Sequence, residues 1–263
     1  MLALSGLQNA YGLLLLAGIV VSLGLWSRLA RRDDRLVMIY IAALTSAFLG
    51  AKLVYFAAEG WLHWHDPDRW IQFATGKSIL GGLLGGYLGV EVSKRLLGYQ
   101  SATGDWFALI TPISLMLGRI GCALHGCCLG QPCPRAWYTV MDQDGVARWP
   151  SAAVEFLFNA VALALVLFCR RRALLPGQHF HLYLMAYGLF RFGHEMLRAT
   201  PRLLGPFTGY QVAALAVLAL GVVGFVRRLR LAKNAPDGGT LPDVARLARP
   251  SIGHRNSNGA MRN

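Results

Sequence analysis

The sequence predicts an all-α integral membrane protein of seven transmembrane helices, with the N-terminus outside and the C-terminus cytoplasmic. Three observations carry that expectation: a mean hydropathy of +0.42, only 15% charged residues, and cations that gather on one side of the apolar runs. Soluble domains usually carry about a quarter charged residues. A net charge of +13 would suggest nucleic acid as a partner in a soluble protein. The placement of the charges argues against that partner here.

Seven apolar runs can be read, at approximately 9–27, 36–59, 78–93, 105–125, 152–169, 179–197 and 209–226. Each is near the ~20 residues that span a bilayer as a helix. The first is preceded by no Lys or Arg and ends in SRLARRDDR rather than a small-residue site, which argues against a cleaved signal peptide. The third is short and glycine-rich, which suits a tilted, broken or partly re-entrant element. Its Gly81, Gly85 and Gly89, and Gly82 with Gly86, recur at four-residue spacing. That spacing lets helices approach closely, or else leaves loop amides free to face a phosphate, a role that Lys77 and Ser78 would share.

Arg28, Arg31, Arg32 and Arg35 follow the first run, and Lys94 and Arg95 the third. Arg170 to Arg172 follow the fifth, and Arg227, Arg228, Arg230 and Lys233 the seventh. The opposite side carries only Arg69, Arg135, Arg148, Arg198 and Arg202. Thirteen against five fixes the orientation by the positive-inside rule. The chain therefore reads as one membrane domain, 1–234, and a polar tail, 235–263, rich in Gly, Pro and Asn and expected to be disordered.

Lys52, Lys77, Arg119 and Arg191 remain as basic residues at membrane depth or its edge, with Glu91, Glu155 and Glu195 as acids. Intramembrane charges are costly, so they face a polar cavity or pair with each other. Arg191, Glu195 and Arg198 recur at i, i+4 and i+7, one helix face, and Arg119 shares a face with Cys122. Two arginines on different helices suit a phosphate, which a guanidinium meets with a planar fork of donors. A phospholipid headgroup is the natural phosphate at that depth. The plainer alternative is that Arg191 pairs with Glu195 and Arg119 with Glu155.

In order, the pieces are Tyr11-Gly12-Leu13, GAKLVY (50–55), SILGGLLG (78–85), GRIGCALHGCCLG (118–130), RWPSAAVE (148–155), RFGHEMLR (191–198) and TGYQ (208–211). Together they resemble the prolipoprotein diacylglyceryl transferase family, seven-helix enzymes of the bacterial inner membrane, over about residues 11–226. The resemblance implies a lipoprotein-biosynthesis transferase that moves diacylglyceryl from phosphatidylglycerol to the thiol of a lipobox cysteine in a prolipoprotein peptide. It implies that Arg119 and Arg191 hold the phosphate, that Glu195 and Arg198 orient Arg191, and that Tyr11 lies near the active site. It implies no cofactor and no nucleic acid. Lys77, Ser78, Gly81, Gly82, Glu155 and Arg198 are the expected substrate-binding residues.

This chain departs from the family pattern at identifiable places. The family's histidine before the double glycine is Leu80 here, and Lys52 stands where arginine is usual. Cys122 and His125 stand where the family has asparagine, and Cys127 where it has glutamate. The PSQLYE-like segment reads Pro150-Ser151-Ala152-Ala153-Val154-Glu155. An altered active site is the expectation.

Cys122, Cys127, Cys128 and Cys133 allow three readings. They are small structural residues, with one disulfide in an oxidising compartment. Or a thiolate, or His125 as base, replaces the family histidine. Or they form a metal or redox site, although C-x4-C-C-x4-C is not a standard zinc spacing, which begins C-x2-4-C. No metal is the expectation by spacing. The functional alternative to the transferase is a non-catalytic phospholipid-binding or cysteine-based redox membrane protein.

Overall fold

The computed structural model describes residues 2–31 and 33–233, with side chains from Gly12 onward at most positions. The tail expected to be disordered and the side chain of Tyr11 lie outside the described residues. Each expected apolar run forms a helix: α1 (Leu2–Ala30), α2 (Arg35–Ala58), α4 (Ile79–Leu96), α5 (Gly104–His125), α6 (Ser151–Arg171), α7 (His179–His194) and α8 (Gly209–Lys233). A short helix that the apolar pattern does not announce, α3 (Arg69–Thr75), lies between α2 and α4. Among the described residues, five helices, α1, α2, α5, α6 and α8, are long and apolar enough to cross a membrane. Large apolar side chains on their outer faces, such as Phe48, Leu53, Leu157 and Val223, are exposed, as lipid-facing residues are. The chain is a multi-pass membrane protein.

The helices pack as pairs, α2 against α4, α7 against α8, and α5 against α1 and α6, with α7 also touching α5 and α8 also touching α4. α4 is one unbroken helix of 18 residues, not a broken segment. Its glycines do the packing. A side chain at Gly81, Gly85 or Gly89 would run into Gly50 and Ser46 of α2, so the two backbones meet directly. The amides at the start of α4 are used within the helix: Ser78 Oγ accepts from Gly81 N at 3.4 Å and Ser78 O from Gly82 N at 3.0 Å.

α7 ends at His194, three residues short of the expected run, and continues as a 3-10 turn, Glu195–Leu197. Arg198 is extended because its backbone bridges Gly130. The loop from Gly126 to Pro150 holds a small hairpin, β1 (Val140–Met141) with β2 (Ala147–Arg148), closed by an Arg148 Nε to Asp142 Oδ2 ion pair at 2.5 Å. The Arg148 guanidinium holds the Asp142 carboxyl below its ordinary range. A second pair, β3 (Arg202–Leu204) with β4 (Phe207–Thr208), leads into α8. There TGYQ is a capping box: Thr208 N donates to Gln211 Oε1 at 2.9 Å and Gln211 N to Thr208 Oγ1 at 3.2 Å. Gln211 Nε2 also donates to Phe192 O at 3.2 Å, tying α8 to the end of α7.

Candidate active site

On α7, Tyr183, Tyr187 and Arg191 recur every fourth residue, and Glu195 follows in the adjoining turn. They form one stripe. On α6, Glu155 and Asn159 do the same and face it. The result is a buried ladder. Tyr183 Oη donates to Asn159 Oδ1 at 2.8 Å, and Asn159 Nδ2 to the Glu155 carbonyl at 2.8 Å. Tyr187 Oη donates to Glu155 Oε1 at 2.6 Å. Arg119 reaches across from α5 and donates through Nη2 to Glu155 Oε2 at 2.7 Å. Arg191 Nη1 lies 3.5 Å from the same oxygen, and its Nη2 2.8 Å from Glu195 Oε2. Arg198 Nε is 3.6 Å from that Glu195 oxygen. Glu195 Oε1 accepts from Thr200 Oγ1 at 2.7 Å.

Both ion pairs of the plainer sequence reading are therefore present. They do not exhaust the cations. Three guanidiniums share two carboxylates, which leaves one positive charge in the network. Hydrogen-bond capacity is left over as well. Arg119 Nε, Arg191 Nε and Nη1, and Arg198 Nε and Nη1 are buried without a hydrogen-bond acceptor. Buried donors of this kind are costly until an acceptor arrives, and an oxygen-rich anion supplies several at once.

A cavity of 1040 Å³ lies beside them. Arg119, Arg191, Arg198, Lys77 and Glu59 line it, as do the apolar Ala47, Leu83, Phe107 and Leu115 and a second charged group, Glu91, Lys94, His181 and Arg228. Charged groups beside apolar walls suit an amphipathic ligand. Of the residues that the sequence singles out, Ser78, Gly82, Cys122, His125, Cys127 and Cys128 also face this cavity. Glu155 and Glu195 stand behind the arginines and hold them. Gly81 is turned toward α2 and packs on Gly50. Cys133 is apart from the cavity wall, its amide bound to Ala147 O at 2.9 Å.

The end of α5 brings the thiols together. Gly126 takes a left-handed φ of 69°. Gly126 N donates to Ala123 O at 3.3 Å and Cys127 N to Cys122 O at 3.1 Å. This is a Schellman ending, which sets the residue after the glycine against the residue five places earlier. Cys128 then takes a φ of 60°, a left-handed conformation that L side chains rarely adopt. All five cysteines are free thiols. The sulfurs of Cys122, Cys127 and Cys128 all lie within 4.8 Å of one another, and Arg119 Nη1 donates to Cys122 Sγ at 3.7 Å. The loop beyond is fixed by backbone bonds, Gly130 N to Trp149 O and Gln131 N to Leu197 O, each 2.9 Å.

Tyr183, Tyr187 and Asn159 are members of the network that the charge-based reading passes over. Their signal is the four-residue recurrence with Arg191 and Glu155. Lys52 is the reverse case, a charge at depth with a structural task. Its Nζ donates to the carbonyls of Phe73, Ala74 and Gly76 at 2.7, 2.6 and 2.8 Å. All its donors are spent on the end of α3.

Fold and site together define a multi-pass helical membrane protein that presents buried guanidiniums to an amphipathic cavity. The family model described as prolipoprotein diacylglyceryl transferase matches residues 4–227. The chain belongs to that family. It is similar to proteins named phosphatidylglycerol--prolipoprotein diacylglyceryl transferase from several bacteria. The one from Clostridium novyi is 29% identical over 232 residues, covering 82% of this chain and 90% of the relative. That from Gloeobacter violaceus is 30% identical over 250 residues, 86% and 91% of the two chains. That from Cupriavidus necator is 30% identical over 218 residues, 74% and 77%.

Proposed function

We propose that this protein transfers the diacylglyceryl group of phosphatidylglycerol to the thiol of a lipobox cysteine, as a seven-span enzyme of the bacterial inner membrane with its N-terminus outside. The observation that carries the reading is the pair of buried guanidiniums, Arg119 and Arg191, with the half-buried Arg198, beside a cavity with apolar walls and holding one positive charge in excess over Glu155 and Glu195. A phosphodiester bears one negative charge and several acceptor oxygens, so it fits both the charge and the donors left over. In the reaction, charge grows on the phosphate as the glyceryl carbon leaves it for sulfur, and donors already in place stabilise that growth. Glu155 and Glu195 keep the guanidiniums aimed. The orientation is supported by the arginines and lysines that close α1, α4, α6 and α8, which the positive-inside rule assigns to the cytoplasmic side.

The test is incubation of the purified protein with phosphatidylglycerol and a peptide carrying a lipobox cysteine, with thioether product and released glycerol phosphate measured by mass spectrometry. Arg119→Ala and Arg191→Ala are each expected to lower turnover by about 10²–10³-fold, the loss typical of a donor that stabilises developing anionic charge. No product from the unaltered protein, or full activity in both variants, rejects the reading. Binding of phosphatidylglycerol without product favours the non-catalytic alternative.

A further inference from the structure

Three thiols converge where the sequence spacing alone argues against a metal. A C-x4-C pair on a straight helix is turned apart, because five residues rotate well past a full turn. The left-handed Gly126 removes that objection by folding Cys127 back onto Cys122, and the left-handed Cys128 returns a third sulfur to the same place. Sulfurs around a tetrahedral zinc ion at a Zn–S length of about 2.3 Å are about 3.8 Å apart. The three here lie within 4.8 Å of one another, so rotamer adjustment of less than about 1 Å per sulfur pair reaches zinc geometry.

We infer that Cys122, Cys127 and Cys128 form a three-thiolate site for zinc, with its fourth position open to the cavity for the acceptor thiol. Three thiolates and a divalent ion carry one net negative charge. Arg119, whose Nη1 donates to Cys122 Sγ at 3.7 Å, supplies the outer-shell hydrogen bond that such a ligand commonly has. All three cysteines line the cavity that Arg191 and Arg198 line, so the site and the guanidiniums share one cavity. Thiolates select soft d10 ions, and zinc keeps a fourth position for substrate where three protein ligands hold it.

The chemical role rests on the transferase reading above. The acceptor thiol must lose its proton, and Leu80, buried at 1% exposure, offers no base at the position where the family histidine is expected. A thiol bound to zinc is deprotonated outright, its proton passing to water in the cavity. The zinc-bound sulfur then forms a bond to the glyceryl carbon of phosphatidylglycerol. The carbon–oxygen bond to phosphate breaks, and glycerol phosphate leaves with the bonding electron pair and one more negative charge. The balance closes without oxidant or reductant.

The experiment is metal analysis of the full-length protein, purified in detergent with a phosphine reductant. About one zinc per chain is expected, falling at least about tenfold in Cys122→Ser, Cys127→Ser and Cys128→Ser but kept in Cys133→Ser and Cys169→Ser. Replacement by cobalt(II) is expected to give a thiolate-to-metal absorption band whose visible bands change on adding a cysteine peptide and not its serine counterpart. Neither zinc nor cobalt binding by the unaltered protein, copper(I) in place of zinc, or zinc retained in all three serine variants overturns the site. A cobalt spectrum that responds to the cysteine peptide in a protein that never turns over phosphatidylglycerol keeps the site and rejects the transferase reading. Transfer undiminished after zinc is stripped keeps the transferase and rejects the role given to the metal.

Discussion

Glu155→Gln isolates what the central carboxylate does. The glutamine has nearly the same shape, so its carbonyl oxygen can keep the bond from Arg119, now 2.7 Å. Its amide then meets the Tyr187 hydroxyl, now 2.6 Å from Oε1, which rotates to accept. The contacts survive and the charge is lost. Arg119 is left facing a neutral group and Arg191, 3.5 Å from the same oxygen, keeps only Glu195. Removing one partner of a buried ion pair costs about 3–5 kcal/mol, and the lower part of that range applies where hydrogen bonds persist. At about 2–4 °C per kcal/mol for a chain of this size, a fall in Tm of about 6–16 °C is expected. Thermal unfolding of the purified protein in detergent, followed by tryptophan fluorescence, measures it. Adding Arg119→Gln to Glu155→Gln is expected to restore part of the loss, because the uncompensated charge goes too. A Tm for Glu155→Gln within about 2 °C of the unaltered protein refutes the account of Glu155 as the counter-charge that both arginines share.

Lys52→Met keeps the aliphatic stem but strips the donor from three carbonyls at the end of α3; a loss of about 1–3 kcal/mol is expected, seen as faster hydrogen exchange over 69–77. Gly85→Val is expected to yield little folded protein, since its Cβ meets the Ser46 and Gly50 backbones with nothing to rotate away. Gly82→Ala, whose Cβ meets Ala47 O at 3.7 Å and Ala51 Cβ at 4.0 Å, is expected to keep or raise Tm, by about 0.5–1 kcal/mol of helix propensity. Gln211→Ala removes half of the capping box and the bond to Phe192 O, an expected loss of about 1–2 kcal/mol read from the same unfolding curve.

The helices are legible in the sequence because hydropathy is a local property, and the expected edges of α2, α5, α6 and α8 lie close to the observed starts. α3 and the 126–150 hairpin are not, since seven amphipathic residues and two-residue strands carry too little periodicity to stand out. Charge placement finds Arg119, Arg191, Glu155 and Glu195, since each is expensive in a membrane. It overlooks Tyr187 and Asn159, which are neutral, and it misjudges Lys52, whose carbonyl partners belong to a helix that the pattern does not announce. The thiol cluster shows the limit most clearly. Spacing rules assume a regular helix, and the contact between Cys122 and Cys127 arises only because the helix stops at His125 and turns through Gly126.

The way the helices pair bears on how a large substrate reaches the arginines. The α2–α4 couple is welded by backbone contact, and α5 is braced by α1 and α6. The cavity lies between α4 and α5, and the two halves are joined by α7 with α8 and, through the core cluster of Trp26, Leu36, Tyr40, Val90 and Ile110, by α1 with α2. The cavity is thus framed by two closures, α7 with α8 and α1 with α2, rather than by a single hinge.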